Sequence, residues 1–546
     1  MRKLLILWAL IGFATTSVVA AERPTHVYLV GDSTCADKDL DKQNPERGWG
    51  QLFRAFFDEK VVVENHAKNG RSTKSFREEG RWEVIHNALH EGDYVFIQFG
   101  HNDEKVDRPK VGSVPEVFAE NLRRYVRETR EKGATPILLT PIARRHFDEA
   151  GKLKKSHGEY PDRVRAVAAE LQVALLDVEP VTERWLQELG DEPSRDYFMW
   201  VERGTSPLYP DGREDNTHLN VRGAHTIARM VADCVKEQQL PLADHLRIAD
   251  FVVAKDGSGD FFTLTEAVLA VPDYHSGEPC TIRLSEGLYR EKISIPWTKR
   301  NVHLYGVGEA VVSWDDYSGK KSVLGRNLGT SGSTTIYFGG DNWTVEGVTF
   351  ENTAGRVGQA VAVQTLGTNI RFSRCRFLGN QDTLYLRGAG NAQEHIGGVR
   401  WVYFDECYIE GTTDFIFGAS AAIFRNCEIH SKSDSYVTAA STVEEQEVGY
   451  IFYGCRLTAA EGVTKCYLGR PWRPYAKTIF IDCELGAHIT PAGWHEWWNK
   501  EHPESTLYAE YGSTGPGANP KGRVAWSKQL TKAEAEALIE NYVKKK

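Results

Sequence analysis

Four short stretches in the second half of the chain carry side chains able to act as acid, base or nucleophile. They are Gln359-Ala360-Val361-Ala362, Gly379-Asn380-Gln381-Asp382-Thr383-Leu384, Asp414-Phe415-Ile416-Phe417-Gly418 and Leu468-Gly469-Arg470-Pro471-Trp472. Two carboxyl groups brought close drive their pKa values apart, so that one is ionised while the other keeps its proton. Asp382 and Asp414, 32 residues apart, are the candidates for such a pair. In the first half, Gly31-Asp32-Ser33-Thr34 follows directly on the apolar run His26–Val30. A serine in a glycine-containing turn at the carboxyl end of a strand stands where an exposed nucleophile is needed. Asn69-Gly70-Arg71-Ser72, Phe99-Gly100-His101-Asn102-Asp103 and Asp215-Asn216-Thr217-His218 are further polar clusters in that half. Blander readings compete at each place: an Asx-turn for an Asp, a surface cation–π pair for Arg470 with Trp472, an ordinary strand–helix turn for Gly-Asp-Ser.

The elements that must position these groups fall into two kinds. Residues 25 to 239 alternate apolar runs (His26–Val30, Tyr94–Phe99, Pro136–Thr140, Val173–Val178, with Val61–Val63 as a further strand) with helical patterns near 115–131, 160–171 and 221–238. Such alternation predicts a parallel sheet covered on both faces, with functional groups at the carboxyl ends of its strands. From Phe251 helical periodicity nearly vanishes and a repeat takes over. Phe372-Ser373-Arg374-Cys375-Arg376-Phe377 recurs as Phe404–Ile409, Phe424–Ile429, Phe452–Leu457 and Ile481–Leu485, and Val345–Phe350 is aligned before it. The aligned positions 347, 375, 407, 427, 455 and 483 are 28, 32, 20, 28 and 28 residues apart, the length of one coil of a parallel β-helix. The spacing of Asp382 and Asp414 is close to one coil, so neighbouring coils bring them together. Cys375, Cys407, Cys427, Cys455 and Cys483 then form an internal ladder, with disulfides as the competing reading in an exported protein.

Composition bounds the rest. A chain of 546 residues holds two or three domains, and a net charge of −9 argues against a nucleic-acid partner. Arg2 and Lys3, the apolar run Leu4 to Phe13 and the small residues Val18-Val19-Ala20 read as a signal peptide over 1–21, too short to span a bilayer. The mature protein is therefore expected to be secreted or periplasmic and free of the membrane. The expected division is 22–239 for the first domain, 240–250 for a connector and 251–546 for the second.

The four C-terminal motifs, in this order, together with Val252-Val253-Ala254-Lys255-Asp256-Gly257-Ser258-Gly259, Gly287-Leu288-Tyr289-Arg290-Glu291 and Asn352-Thr353-Ala354-Gly355, resemble the pectin methylesterases. The resemblance covers about half the chain and implies a right-handed parallel β-helix. It implies Asp414 as nucleophile on a methyl ester, Asp382 as acid and then base, Arg470 as partner of the nucleophile, and Gln381 as oxyanion donor with Gln359 beside it. Trp472 and Phe417 match its aromatic sugar-binding positions, and Thr335 more loosely a further substrate contact. A pectate lyase, the rival on this architecture, needs a cluster of acidic calcium ligands that the sequence does not display. In the first half Ser33, Gly70, Asn102 and His218 resemble the four signature positions of the SGNH-type esterases, and among these the rhamnogalacturonan acetylesterases. That implies a three-layer, flavodoxin-like α/β domain. Ser33 becomes nucleophile, His218 its base, and Asp215 the group that orients His218. The N–H groups of Ser33 and Gly70 and the Asn102 side chain become the oxyanion hole. Neither resemblance implies a metal or other cofactor, and both imply esterified pectin as partner. The alternative for the first domain is a carbohydrate-binding module, or an esterase for another substrate.

Overall fold

The structure, a computed structural model, describes residues 23–388, 398–497 and 505–544. The expected signal peptide lies outside the described residues. Five apolar segments become strands β1 (Thr25–Gly31), β2 (Val61–Asn65), β3 (Tyr94–Gln98), β4 (Thr135–Leu139) and β5 (Ala174–Leu176). They form one parallel sheet in the order β2-β1-β3-β4-β5. This is the flavodoxin-like order, which reverses between β1 and β3 and leaves a crevice outside their carboxyl ends. Side chains alternate along β1: Val27 and Leu29 enter one core, Tyr28 and Val30 the other. Helix α1 (Pro115–Glu131) starts on a proline at its first turn and buries Phe118, Leu122, Tyr125 and Val126 at helical spacing. Helix α2 (Tyr160–Leu171) joins it on that face.

Two segments differ from the sequence expectation. The strand expected over Val173–Val178 ends at Leu176, and Val178 instead opens helix α3 (Val178–Leu189). A hairpin of β6 (Phe198–Val201) and β7 (Arg213–Asn220) precedes helix α4 (Val221–Glu237), and the short strand Glu46–Arg47 pairs on the other side of β7. The β7 sequence, Arg-Glu-Asp-Asn-Thr-His-Leu-Asn, has no apolar alternation, so pattern reading passes over it. Asn220 then caps α4 by accepting from the Gly223 N–H.

From Phe251 onward the described chain winds into a parallel β-helix with sheets of 11, 8 and 7 strands. Its interior is stacked by coil. Phe404, Phe424, Phe452 and Phe480 lie face to face at 4.3–4.6 Å between centroids. The five cysteines stand in register, each thiol donating to a carbonyl of the preceding coil, as Cys427 does to Phe404 at 3.5 Å. All nine cysteines are buried and none is in a disulfide. The alignment of Val345–Phe350 with Phe372–Phe377 holds, since Val345 pairs with Phe372 and Phe350 with Phe377. The position in line with Cys375 is therefore Val348 and not Gly347. Gly347 belongs to the preceding turn position, shared with Arg374, Glu406, Asn426, Gly454 and Asp482, all at φ between 51° and 64°. A left-handed residue at that corner turns the chain from one sheet to the next.

The two folds are in contact. The expected connector contains a short 3₁₀ turn, Pro241–His245, with Leu242 and Leu246 buried in the core that holds Val27 and Leu29. That core continues into Val252 and Ala254 at the start of the β-helix. His225 of α4 pairs with Asp260 at 2.5 Å, and Arg283 donates to the Phe57 carbonyl at 3.1 Å.

Candidate active sites

The seven-stranded sheet of the β-helix carries the first site. Its strands include β8 (Leu384–Leu386), β9 (Ile416–Gly418), β10 (Tyr436–Ala440) and β11 (Tyr467–Gly469). Leu384 pairs with Ile416, which puts Asp382 and Asp414 in the same position of adjacent coils, roughly 4.8 Å apart along the stack. Both take left-handed backbone, with φ of 68° and 49°, and their N–H groups donate to Thr413 and Tyr436 carbonyls of the next coil. The turns therefore fix both carboxyl groups toward one cleft of about 610 Å³, also lined by Gln359, Gln381, Arg470 and Trp472.

Arg470 follows β11 directly and grips Asp414 with two parallel bonds, Nε to Oδ1 at 2.9 Å and Nη2 to Oδ2 at 2.6 Å. The guanidinium is itself held between the rings of Tyr436 and Trp497, 3.9 and 3.6 Å from their centroids. Burial and then the Asp414 charge push Asp382 well above the ordinary carboxylate range. Burial also raises Asp414, but Arg470 opposes it, so Asp414 ionises first and Asp382 retains the proton. Gln359 and Gln381 are bridged across coils, and the Gln359 carbonyl accepts from Ser318 at 2.7 Å, leaving its NH₂ to donate elsewhere. Phe417 stacks on Tyr385 at 4.3 Å and meets Trp472 edge-on at 5.9 Å. Tyr385, Tyr436 and Trp497 were not singled out in the sequence; the place of Tyr385, one residue past a quoted motif and in register with Phe417, was the available signal. Thr335 needs correction. It is fully buried, donates its hydroxyl to the Glu351 carbonyl at 3.0 Å and is not part of the cleft lining.

The second site lies at the switch point of the α/β sheet. Ser33 follows β1, Gly70 follows β2 and Asn102 follows β3. His218 comes from β7, 185 residues from Ser33, and its Nε2 is 2.9 Å from Ser33 Oγ. Its Nδ1 lies 2.7 Å from Asp215 Oδ2, while Asp215 Oδ1 accepts from the N–H groups of Thr217 and His218. Burial works against the Asp215 charge, but the bonds from His218 overcome it and hold the carboxyl well below its usual range. Gly70 has φ 76°, a turn conformation natural to glycine, and Asn102 donates to the Arg71 carbonyl at 3.0 Å, so the Gly70 loop and the Asn102 side chain are tied together. Asp103 strengthens that tie by accepting from the Thr73 N–H and hydroxyl, and burial raises its pKa to about 7. His101 is buried against His157 at 4.2 Å; burial and the neighbouring charges keep it neutral. A hollow of about 990 Å³ beneath the β6–β7 hairpin has none of Ser33, His218 or Asp215 in its lining.

Known proteins resemble each half separately. The rhamnogalacturonan acetylesterase RhgT of Bacillus subtilis (strain 168) is 44% identical over 225 residues, which is 41% of this chain and 95% of that one. Pectinesterase 31 of Arabidopsis thaliana is 38% identical over 299 residues, covering 53% of this chain and 89% of its own. Among solved structures, the pectin methylesterase from carrot is 33% identical, covers 53% of this chain and 90% of its own, and superposes with a TM-score of 0.47. The family models and sequence relatives of both halves define a carboxylic ester hydrolase. The chain belongs to the pectinesterase family, whose model matches residues 250–545, and the GDSL-like lipase/acylhydrolase family model matches residues 29–226.

Proposed function

We propose that the protein removes two kinds of ester from pectin, methyl esters at the β-helix cleft and acetyl groups at the α/β site. The proposed units are 22–239 and 251–546, joined by 240–250, and the proposed destination, after removal of residues 1–21, is outside the cytoplasm. The observation that carries the reading is the Asp382–Asp414–Arg470 cluster, in which Arg470 binds Asp414 with two parallel hydrogen bonds while burial and the Asp414 charge push Asp382 up.

In the first reaction an Asp414 oxygen attacks the ester carbonyl of a galacturonate methyl ester. The oxyanion is met by the amide groups of Gln381 and Gln359. Asp382 gives its proton to the departing methoxide, producing methanol and an acyl–Asp414 anhydride. Asp382, now ionised, takes a proton from water, whose oxygen attacks the acyl carbon and expels the Asp414 carboxylate; the galacturonic carboxyl so formed gives up its remaining proton to solvent. Trp472 and Phe417 offer flat apolar surface to the pyranose faces. In the second reaction His218 takes the Ser33 proton as Oγ attacks the acetyl carbonyl, and Asp215 stabilises the imidazolium. The Ser33 and Gly70 N–H groups and the Asn102 amide receive the oxyanion. His218 then gives the proton to the departing sugar oxygen, which leaves as a hydroxyl, and water completes the turnover by the reverse route, leaving acetate and free Ser33.

Methanol and acetate, measured separately from methylated and acetylated pectin, test both halves. Asp414→Ala is expected to abolish methanol alone and Ser33→Ala acetate alone. Acetate release that survives Ser33→Ala would remove the serine mechanism. No acetate from the unaltered protein would leave the first domain a binding module or an esterase for a different substrate.

A further inference from the structure

Behind the Ser33–His218–Asp215 line runs a second line of charges that starts and ends on the same serine. Lys38, on the turn after β1 and almost wholly buried, spends its three donors on the Ser33 carbonyl at 2.6 Å, Asn69 Oδ1 at 2.6 Å and Glu46 Oε1 at 2.9 Å. The second Glu46 oxygen accepts from Arg213 Nη1 at 3.0 Å. Arg213 Nη2 pairs with Asp215 Oδ2, the same oxygen that faces His218 Nδ1. The Tyr209 hydroxyl accepts from Arg213 at 2.6 Å, and the Tyr209 ring lies under the guanidinium. The signs alternate from Lys38 through Glu46 and Arg213 to Asp215, so no charge in the buried row lacks an opposite neighbour. Backbone pairing of Glu46 with Asn220 locks the same segment to β7.

We propose that Lys38, Glu46 and Arg213 are positioning residues for hydrolysis at Ser33, a charge circuit that sets the nucleophile, the Gly70 loop and Asp215 relative to one another. The proposal rests on the reading of Ser33, His218 and Asp215 as catalytic. Two parts of the geometry give it content. Through Ser33 O and Asn69 Oδ1, Lys38 joins the two turns whose N–H groups serve the oxyanion, so it governs their spacing. Arg213 competes with His218 for one Asp215 oxygen, so it weakens the hold of Asp215 on an imidazolium. Glu46 draws Arg213 the other way and moderates that competition. Besides these groups, the buried Asp32 interacts electrostatically with His218, while the nearby His101 is held neutral by burial, and neither belongs to the circuit.

The test is kcat/KM against pH for p-nitrophenyl acetate, on the full-length protein. Arg213→Met removes a cation beside His218 and is expected to move the acid limb up by about one pH unit, with a lower kcat. Glu46→Gln removes an anion and is expected to move the limb down. Lys38→Met is expected to cut kcat about tenfold with little change in KM, the mark of an interaction used in the transition state. Arg213→Lys is expected to restore part of the limb position. Methanol release by the β-helix and an unchanged circular dichroism spectrum report folding of each variant. Limbs that stay in place, or move in the same direction for Arg213→Met and Glu46→Gln in folded protein, overturn the circuit. Ser33→Ala keeps the two failures apart: residual acetate release there removes the underlying triad reading, whereas an inactive Ser33→Ala with unmoved limbs removes the circuit alone.

Discussion

Arg470 earns its place by geometry as much as by charge. A lysine could neutralise Asp414, but only a planar guanidinium can make the two parallel bonds while lying flat between Tyr436 and Trp497. The sign of its electrostatic effect is open to measurement. Burial raises Asp414 and Arg470 lowers it, so Arg470→Met leaves the rise unopposed and the nucleophile ionises only at higher pH. The acid limb of methanol release should move up by about 1–3 pH units, while acetate release keeps its profile. A limb that does not move would mean that ionisation of Asp414 does not limit the reaction. At this scale the sequence was informative wherever a motif held several groups together, as at Gln381-Asp382 and Asp414–Phe417. It was silent on Lys38, Glu46 and Arg213. Glu46 and Arg213 meet across 167 residues, and no local spacing encodes such a meeting.

Among the elements, the left-handed corner of each coil sets the register of the whole β-helix. Asn426 occupies it at φ 52° with Cys427 next in line, and its side chain faces the Gly454 corner of the following coil. A β-branched residue is costly in that conformation, so Asn426→Val should lower the stability of the β-helix by about 1–2 kcal/mol, while Asn426→Gly should cost much less. Calorimetry of the two variants checks this, and equal losses would locate the effect in the asparagine side chain instead of the backbone. The corners also explain a limit of the sequence reading. Repeats anchored by Phe and Cys align themselves, and the cysteine-free coil before Cys375 keeps the same register through Val345 and Phe350. With no cysteine to mark the ladder there, however, the sequence points to the corner residue Gly347 in place of its neighbour Val348. The β7 strand was lost for a related reason. Its residues serve as ligands for one another and for Ser33, so they carry none of the apolar alternation by which a strand is recognised.

In the whole molecule the α/β fold and the β-helix are set against each other through an apolar seam, not strung on a flexible tether. Val252 and Ala254 complete a core begun by Val27 and Leu29, and Asp260 receives both His225 and the Val252 N–H. Removing that carboxylate leaves a buried donor without its acceptor, at a cost of about 1–3 kcal/mol. The unaltered protein should therefore melt in one calorimetric transition and Asp260→Ala in two, with the α/β unit melting first. Two transitions in the unaltered protein would mean that the seam does not couple the units. The change from alternating strands and helices to coils near Phe251 was plain in the sequence. The seam was not, because residues that cover a neighbouring domain look like any other core residue. The cysteine ladder sets a condition of a different kind. Coil spacing, about 4.8 Å, falls within the Cα separation of roughly 4.4–6.8 Å that a disulfide bridges. Five thiols in a row can be joined two by two in more than one way, and each way strands one. With export as proposed, the ladder makes assembly a race: the coils must close over their thiols before an oxidant finds them, or a single sequence yields a mixture of cross-linked products.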